Sequence, residues 1–212
     1  ACNKLSMPVV AGNVSLYNET EGKSIPPTPQ IGAVGIIKNT DNQLSNIIRS
    51  NNTQDIIVVG NTIGHLQCSV YAKVISNIEK GHPPKVDLDE ELSHGKFVLK
   101  LASMGILNAG KDLSDGGLGV ALAEMCIMSK KGCKITPPET DNINAWLFGE
   151  DQGRYIIVTS KNCSSTIIKE AKSNKIEAKI IGEITGKDFI VENNKTNNKI
   201  SIEKLANIRN NW

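Results

Sequence analysis

The sequence predicts an α+β fold in which helices alternate with short strands, a mixed sheet packed with helices in α/β layers. Two patterns point there. Apolar runs such as Ile56-Ile57-Val58-Val59 have the length of buried strands and are too short for helices. Between such runs, residues 89–104 and the set Cys163, Ile167, Ile168 and Ala171 space apolar side chains three and four apart, the period of an amphipathic helix. No internal repeat is present, and 212 residues hold one respectable core with an appendage better than two full domains.

Taken in order, Val9 to Leu16 has strand character. Ile25-Pro26-Pro27-Thr28-Pro29 then forbids regular structure, because three prolines remove donors and hold the backbone extended, so this stretch is expected to be a linker. Ile31 to Ile37 and Ile56 to Val59 are expected to be buried strands. Residues 66–78 and 89–104 read as helices. The second carries Asp89-Glu90-Glu91 in its first turn, where the helix dipole favours carboxylates, and Phe97, Val98, Leu101 and Met104 along one face. Ile106 to Lys111 returns to strand. Leu118 to Cys126 has Glu124 as its single charge, so that helix is expected to lie largely buried. A strand at 154–159, the amphipathic helix around Ile167, strands at 180–184, 189–191 and 199–202, and a last helix from Glu203 to Trp212 complete the series.

The 24 basic and 22 acidic residues are nearly balanced, and the basic ones form no stripe with aromatic neighbours, so nucleic acid is not an expected partner. Five cysteines, with no Cys-x-x-Cys pair and no histidine at ligand spacing, read as small core residues of a reduced, cytoplasmic protein. No apolar run approaches the ~18 residues of a membrane span, so no membrane association is expected. Ala1 reads as a cut inside a longer protein.

Three segments carry candidate chemistry. In Ala11-Gly12-Asn13-Val14-Ser15, Gly12 would let backbone approach a phosphate, Asn13 offers a neutral oxygen to a hard cation, and Ser15 projects to the same face two residues on. A bulged strand end has the same pattern. In Asp112-Leu113-Ser114-Asp115-Gly116-Gly117, a strand ends in acids and two glycines open a helix. Free N–H groups there would hold an anion with Asp112 or Asp115 on a magnesium ion; the plainer reading is an N-cap by Ser114 or Asp115. Glu150-Asp151-Gln152 before Arg154 would bind a polar ligand, or form a solvated turn in which Arg154 pairs with a carboxylate. His65, His82 and His94 lie outside all three and are expected at the surface or in loops.

Together and in this order, the segments resemble the C-terminal region of the phosphoribosylformylglycinamidine synthase family. The matches are Pro8-Val9-Val10-Ala11-Gly12-Asn13-Val14-Ser15-Leu16-Tyr17-Asn18-Glu19-Thr20, then Ile25 followed by Pro27-Thr28-Pro29-Gln30-Ile31-Gly32, Asp112-Leu113-Ser114-Asp115-Gly116-Gly117-Leu118 and Leu147-Phe148-Gly149-Glu150, with a weaker echo at Ile181-Gly182-Glu183. The resemblance implies residues 1–29 as the tail of a second aminoimidazole-ribonucleotide-synthetase-like N-terminal domain with its linker, and 30–212 as the second C-terminal domain. It implies an ATP- and magnesium-dependent ligase of purine biosynthesis, which phosphorylates the amide oxygen of formylglycinamide ribonucleotide before ammonia displaces phosphate. The partners implied are the missing N-terminal domains, a glutaminase subunit and a small bridging subunit.

Carried over by position, the resemblance gives Gly12 an ATP contact, Asn13 a magnesium ligand and Ser15 a substrate contact. Asp112, Asp115, Glu150, Asp151 and Gln152 become candidates for an auxiliary nucleotide site. The family's catalytic histidine lies in the first N-terminal domain, so none of the 212 residues is expected to be catalytic. The chain departs from the pattern at Gly64-His65-Leu66-Gln67-Cys68-Ser69-Val70-Tyr71, where the family has a Gly-Gly-Ser-Glu-Tyr run; Gln67 and Cys68 add side chains and Val70 removes a carboxylate. The competing reading is a structural, interface-forming module of that enzyme. A kinase of the same superfamily, for thiamine phosphate or selenophosphate, would not be expected to carry the Gly12 to Thr20 run. Apolar surface normally covered by partner domains leads to an expectation of self-association.

Overall fold

A computed structural model of the chain describes residues 1–14, 18–25, 29–37, 39–40, 43–140, 142–195 and 197–211. Ser15, Pro26 to Thr28 and Trp212 therefore lie outside the described residues. The chain divides into two compact units, residues 1–41 and 42–212.

The first unit has little regular structure. A single helical turn, α1 (Cys2–Leu5), is followed by the antiparallel pair β1 (Glu19–Thr20) and β2 (Lys23–Ser24). Glu21 and Gly22 join them with φ of 52° and 74°, the two left-handed residues that let a two-residue turn follow the strand twist. The strands expected at Val9–Leu16 and Ile31–Ile37 are not formed among the described residues. Val10, Val34 and Ile36 are all more than 90% exposed. A strand needs a neighbour for its N–H and C=O groups, and the short hairpin is the sole ladder among the described residues of this unit.

The second unit is built on seven strands: β3 (Gln54–Val59), β4 (Leu107–Asp112), β5 (Cys133–Ile135), β6 (Tyr155–Ser160), β7 (Ala178–Ile184), β8 (Asp188–Glu192) and β9 (Asn197–Ser201). They lie side by side as β4-β6-β3-β7-β5-β8-β9. Every neighbouring pair is antiparallel except β5–β8, so the sheet is mixed. The helices are α2 (Val70–Ser76), α3 (Leu88–Ser103), α4 (Gly117–Ser129), α5 (Ile143–Phe148), α6 (Lys161–Ser173) and α7 (Ile202–Asn210).

The middles of the central strands, Ile56–Val59 of β3 and Ile156–Val158 of β6, are apolar at successive positions because both sheet faces are covered there. Ile56 and Val58 of β3, with Ile156 and Val158 of β6, pack with Leu118, Leu122 and Met125 of α4, Trp146 of α5 and Ile202 of α7. The intervening Ile57, Val59 and Ile157 pack with Phe97 and Leu101 of α3 and Ile167 and Ala171 of α6. The two-residue period of a strand thus sorts one unbroken apolar run into two cores.

Several expectations shift in detail. The helix expected over 66–78 is confined to Val70–Ser76; Cys68 is left-handed at φ 52°, and Ser69 caps the helix by accepting from Ala72 N–H at 3.1 Å. The three-residue strand β5 and the helix α5 carry too short a pattern to be legible in advance. Cys126 and Cys133 are buried, whereas Cys2 and Cys68 are exposed and do not belong to a core. His94 is buried inside α3 and not in a loop. Its Nδ1 lies 2.7 Å from Gly153 O, and since a carbonyl can only accept, Nδ1 carries the proton.

Candidate functional site

The β4–α4 turn, the α5–β6 turn and the loop from Gly60 to Val70 meet at one end of the second unit. Their meeting depends on glycine. Gly116 and Gly117 have φ of 77° and 62°, and a Cβ on Gly117 would collide with the carbonyl oxygen of Gly149. The start of α4 can therefore lie against the α5–β6 turn only with no side chain at that point.

Of the residues expected here, Glu150 and Asp151 are turned inward onto backbone. Glu150 Oε1 accepts from Gly116 N–H at 2.8 Å and from Val70 N–H at 2.8 Å. One carboxylate thus sits at the starts of both α4 and α2, where the unpaired first-turn donors and the helix dipole favour a negative charge. Asp151 takes three consecutive donors: Ile63 and Gly64 N–H reach Oδ2 at 3.0 and 2.9 Å, and His65 N–H reaches Oδ1 at 3.1 Å. Glu150 N–H closes the same loop by donating to His65 O at 2.8 Å. The N-cap expected from Ser114 or Asp115 is not the one formed. Gly116 is the cap residue and has no side chain to offer, Ser114 Oγ donates instead to Asp112 Oδ2 at 3.1 Å, and Asp115 is exposed.

Arg154, expected at the start of a strand and, in one of two readings, paired with a carboxylate in a solvated turn, is 1% exposed, so the turn is not solvated. Its Nε donates to Asp151 O at 3.1 Å, Nη1 to Thr62 Oγ1 at 3.1 Å and Nη2 to Gly149 O at 2.6 Å, while Asp151 Oδ2 lies 3.7 Å from Nη1. Burial lowers the pKa of the guanidinium and the Asp151 carboxylate opposes that shift. The signal in the sequence was its place immediately ahead of the apolar Tyr155–Val158 run, which makes Arg154 the entrance residue of a central strand.

Asp112 and Gln152 face a different space. With Glu91, Ser114 and Tyr155 they line a depression of about 270 Å³. Burial raises the Tyr155 pKa, and the Glu91 and Asp112 carboxylates raise it further. These two carboxylates favour a cation or a hydrogen-bond donor in the depression, whose lining also includes the buried Arg154. Tyr155 closes the polar cluster that begins at Leu147, whereas Glu91 and Thr62 were not singled out as site residues, because they belong to elements remote along the chain. Among the described residues no group of three His, Cys, Asp or Glu side chains could hold a metal ion. In the first unit Gly12 and Asn13 are exposed, and a Cβ on Gly12 would meet nothing within 4 Å, so backbone there is open to close approach. Ser15 lies outside the described residues.

Residues 54–192 match the family described as AIR synthase related protein, C-terminal domain. The chain belongs to that family. Along its whole length it is 39% identical over 212 residues to the phosphoribosylformylglycinamidine synthase subunit PurL of Bartonella quintana (strain Toulouse), and it spans 28% of that protein's length. The chain likewise spans 28% of the PurL subunit of Rhodopseudomonas palustris (strain HaA2), at 38% identity over 213 residues. A solved structure of T. maritima PurL complexed with FGAR superposes with a TM-score of 0.67 at 18% identity, covering 78% of this chain and 30% of that one. These likenesses agree with the AIR-synthase-related fold: a mixed sheet with helices on both faces.

Proposed function

We propose that this AIR-synthase-related chain is the C-terminal part of a PurL-type phosphoribosylformylglycinamidine synthase. The reading is carried by one observation, 39% identity to a PurL subunit from end to end of the chain. In the whole enzyme, ATP would phosphorylate the amide oxygen of formylglycinamide ribonucleotide, making phosphate the leaving group when ammonia attacks the same carbon to form the amidine. Ammonia would come from glutamine through a glutaminase subunit, docked by a small bridging subunit. A reducing, cytoplasmic compartment suits the odd count of five cysteines.

Within that reading Gly12 approaches ATP with bare backbone, Asn13 gives magnesium one neutral oxygen, and Ser15 contacts the substrate. Asn13 alone would give magnesium one neutral oxygen, and the rest of its ligands would have to come from outside this chain's described residues. The chemistry such an ion would supply is neutralisation of phosphoryl charge, with Asn13 helping to hold it. Asn13→Ala in the assembled enzyme is expected to raise the magnesium concentration needed for half-maximal rate by about 10-fold or more; an unchanged magnesium dependence would contradict the assignment.

A second reading, a structural module with an auxiliary nucleotide site, draws support for its structural half from Glu150 and Asp151. Their carboxylates occupy the N–H groups that a phosphate would use. Asp112, Asp115 and Gln152 remain the candidates for ligand contact. Titration of the chain with ADP and magnesium distinguishes the two: saturable heat, lost on Asp112→Ala, supports an auxiliary site, and its absence supports a purely structural module.

A further inference from the structure

The sheet of the second unit has a notch in its middle. Strand β5 spans just Cys133–Ile135 and pairs with the far half of β7, from Gly182 to Ile184. The next residue, Thr136, still donates from N–H to Ile181 O at 2.7 Å, but Pro137 and Pro138 follow, have no N–H to donate and end the pairing. The first half of β7, Ala178 to Ile180, is therefore paired with β3 on one edge and with no other described strand on the other edge.

Which main-chain groups face the notch follows from the ladder. Gly60 N–H donates to Glu177 O at 2.8 Å, and Val58 stands opposite Lys179 in the same register. Hydrogen-bonding direction alternates along β7 up to an irregularity at Ile181, where the register with β3 shifts between Ile56 and Ile57, so Glu177 and Lys179 turn their main-chain groups to β3 while Ala178 and Ile180 turn theirs to the notch. The carbonyl of Ala178 and the N–H of Ile180 are spaced to receive the N–H and C=O of one residue of an extended chain lying parallel to β7.

The notch opens a groove of about 650 Å³ lined by Trp146 from one helical layer, Ile168 from the other, and Ile180 and Pro137. A strand seated there would point alternate side chains to Trp146 and to Ile168, so the segment that fits is apolar on both faces. We propose that this groove receives an extended, aliphatic segment of the longer polypeptide, which adds to β7 as the missing strand. The choice of occupant rests on the PurL-type reading and on length: the chain spans 28% of its relatives, so most of that polypeptide lies outside it.

The test is residue-resolved amide exchange on the 212-residue chain, alone and with the remainder of the polypeptide supplied as a separate chain. In the chain alone, the Ile180 amide should exchange at least about 100-fold faster than that of Lys179, which faces β3. Once the complex forms, Ile180 should slow by about 10-fold or more, and Ile180→Glu, which keeps the N–H but places a charge in the groove, should weaken association by about 10-fold while leaving the Lys179 amide protected. A complex that forms with unchanged exchange at Ile180 overturns the proposal and leaves the PurL-type reading standing. Failure of any complex to form overturns both. Protection of Ile180 that grows with the concentration of this chain alone overturns it in favour of a second copy as occupant.

Discussion

Asp151 answers three main-chain donors and a buried guanidinium at once, so it is the side chain whose loss should be felt most. Asp151→Ala leaves Arg154 buried without a countercharge and is expected to cost roughly 3 kcal/mol or more in urea unfolding. Asp151→Asn keeps one acceptor oxygen and should cost less; equal losses would show that the bonds to Ile63, Gly64 and His65 carry no weight. Glu150→Ala, which strands the first donors of two helices, should cost about 2 kcal/mol by the same measurement. Tyr155 gives a pH test. Its pKa is raised in the fold, so stability is intact below the unfolded tyrosine value of about 10 and is lost as pH climbs through the folded value. Melting temperatures of Tyr155→Phe and the parent chain should therefore diverge between about pH 9 and 11, the parent falling faster; parallel curves would contradict the cited burial. The cluster Glu150-Asp151-Gln152 was legible as polar residues before a strand. Its partners were not, because the donors to Asp151 lie 86, 87 and 88 positions away and those to Glu150 lie 34 and 80 away.

The junction of α4 with the α5–β6 turn rests on backbone contact at Gly117. Gly117→Ala combines a left-handed φ with a collision against Gly149 and should destabilise by about 2 kcal/mol or more, against less than 1 where Ala is merely a poorer fit. A neutral result would mean the turn can retreat from α4. The helices α3, α4 and α6 and the strands β3 and β6 were readable in advance because each is long enough to show its period and each packs on the core that the period implies. Strand β5 and helix α5 were too short to declare one. The Ile31–Ile37 run failed for a different reason: apolar character reports a need for burial, and it says nothing of whether the covering surface belongs to the same 212 residues. Cys68 at φ 52° likewise shortens α2 through a left-handed turn that no periodicity announces.

For the molecule entire, the contrast between its two units is the main fact. The second holds two sealed cores on either side of one sheet, while the first exposes Val9, Val10, Val14, Ile31, Val34 and Ile36. Aliphatic surface of that extent favours association, so the purified chain should show a mass by light scattering that rises with concentration; a constant monomer mass would contradict it. The notch beside β7 and the 28% span of the relatives agree with a part that is finished by the rest of a polypeptide. The most direct test is amidine formation from formylglycinamide ribonucleotide, ATP, magnesium and ammonia, measured on this chain alone and after adding the remainder of the polypeptide. The account predicts no turnover from the chain alone and turnover from the pair, lowered by Asn13→Ala; product formation by the chain alone, or none from a pair that assembles, would contradict it.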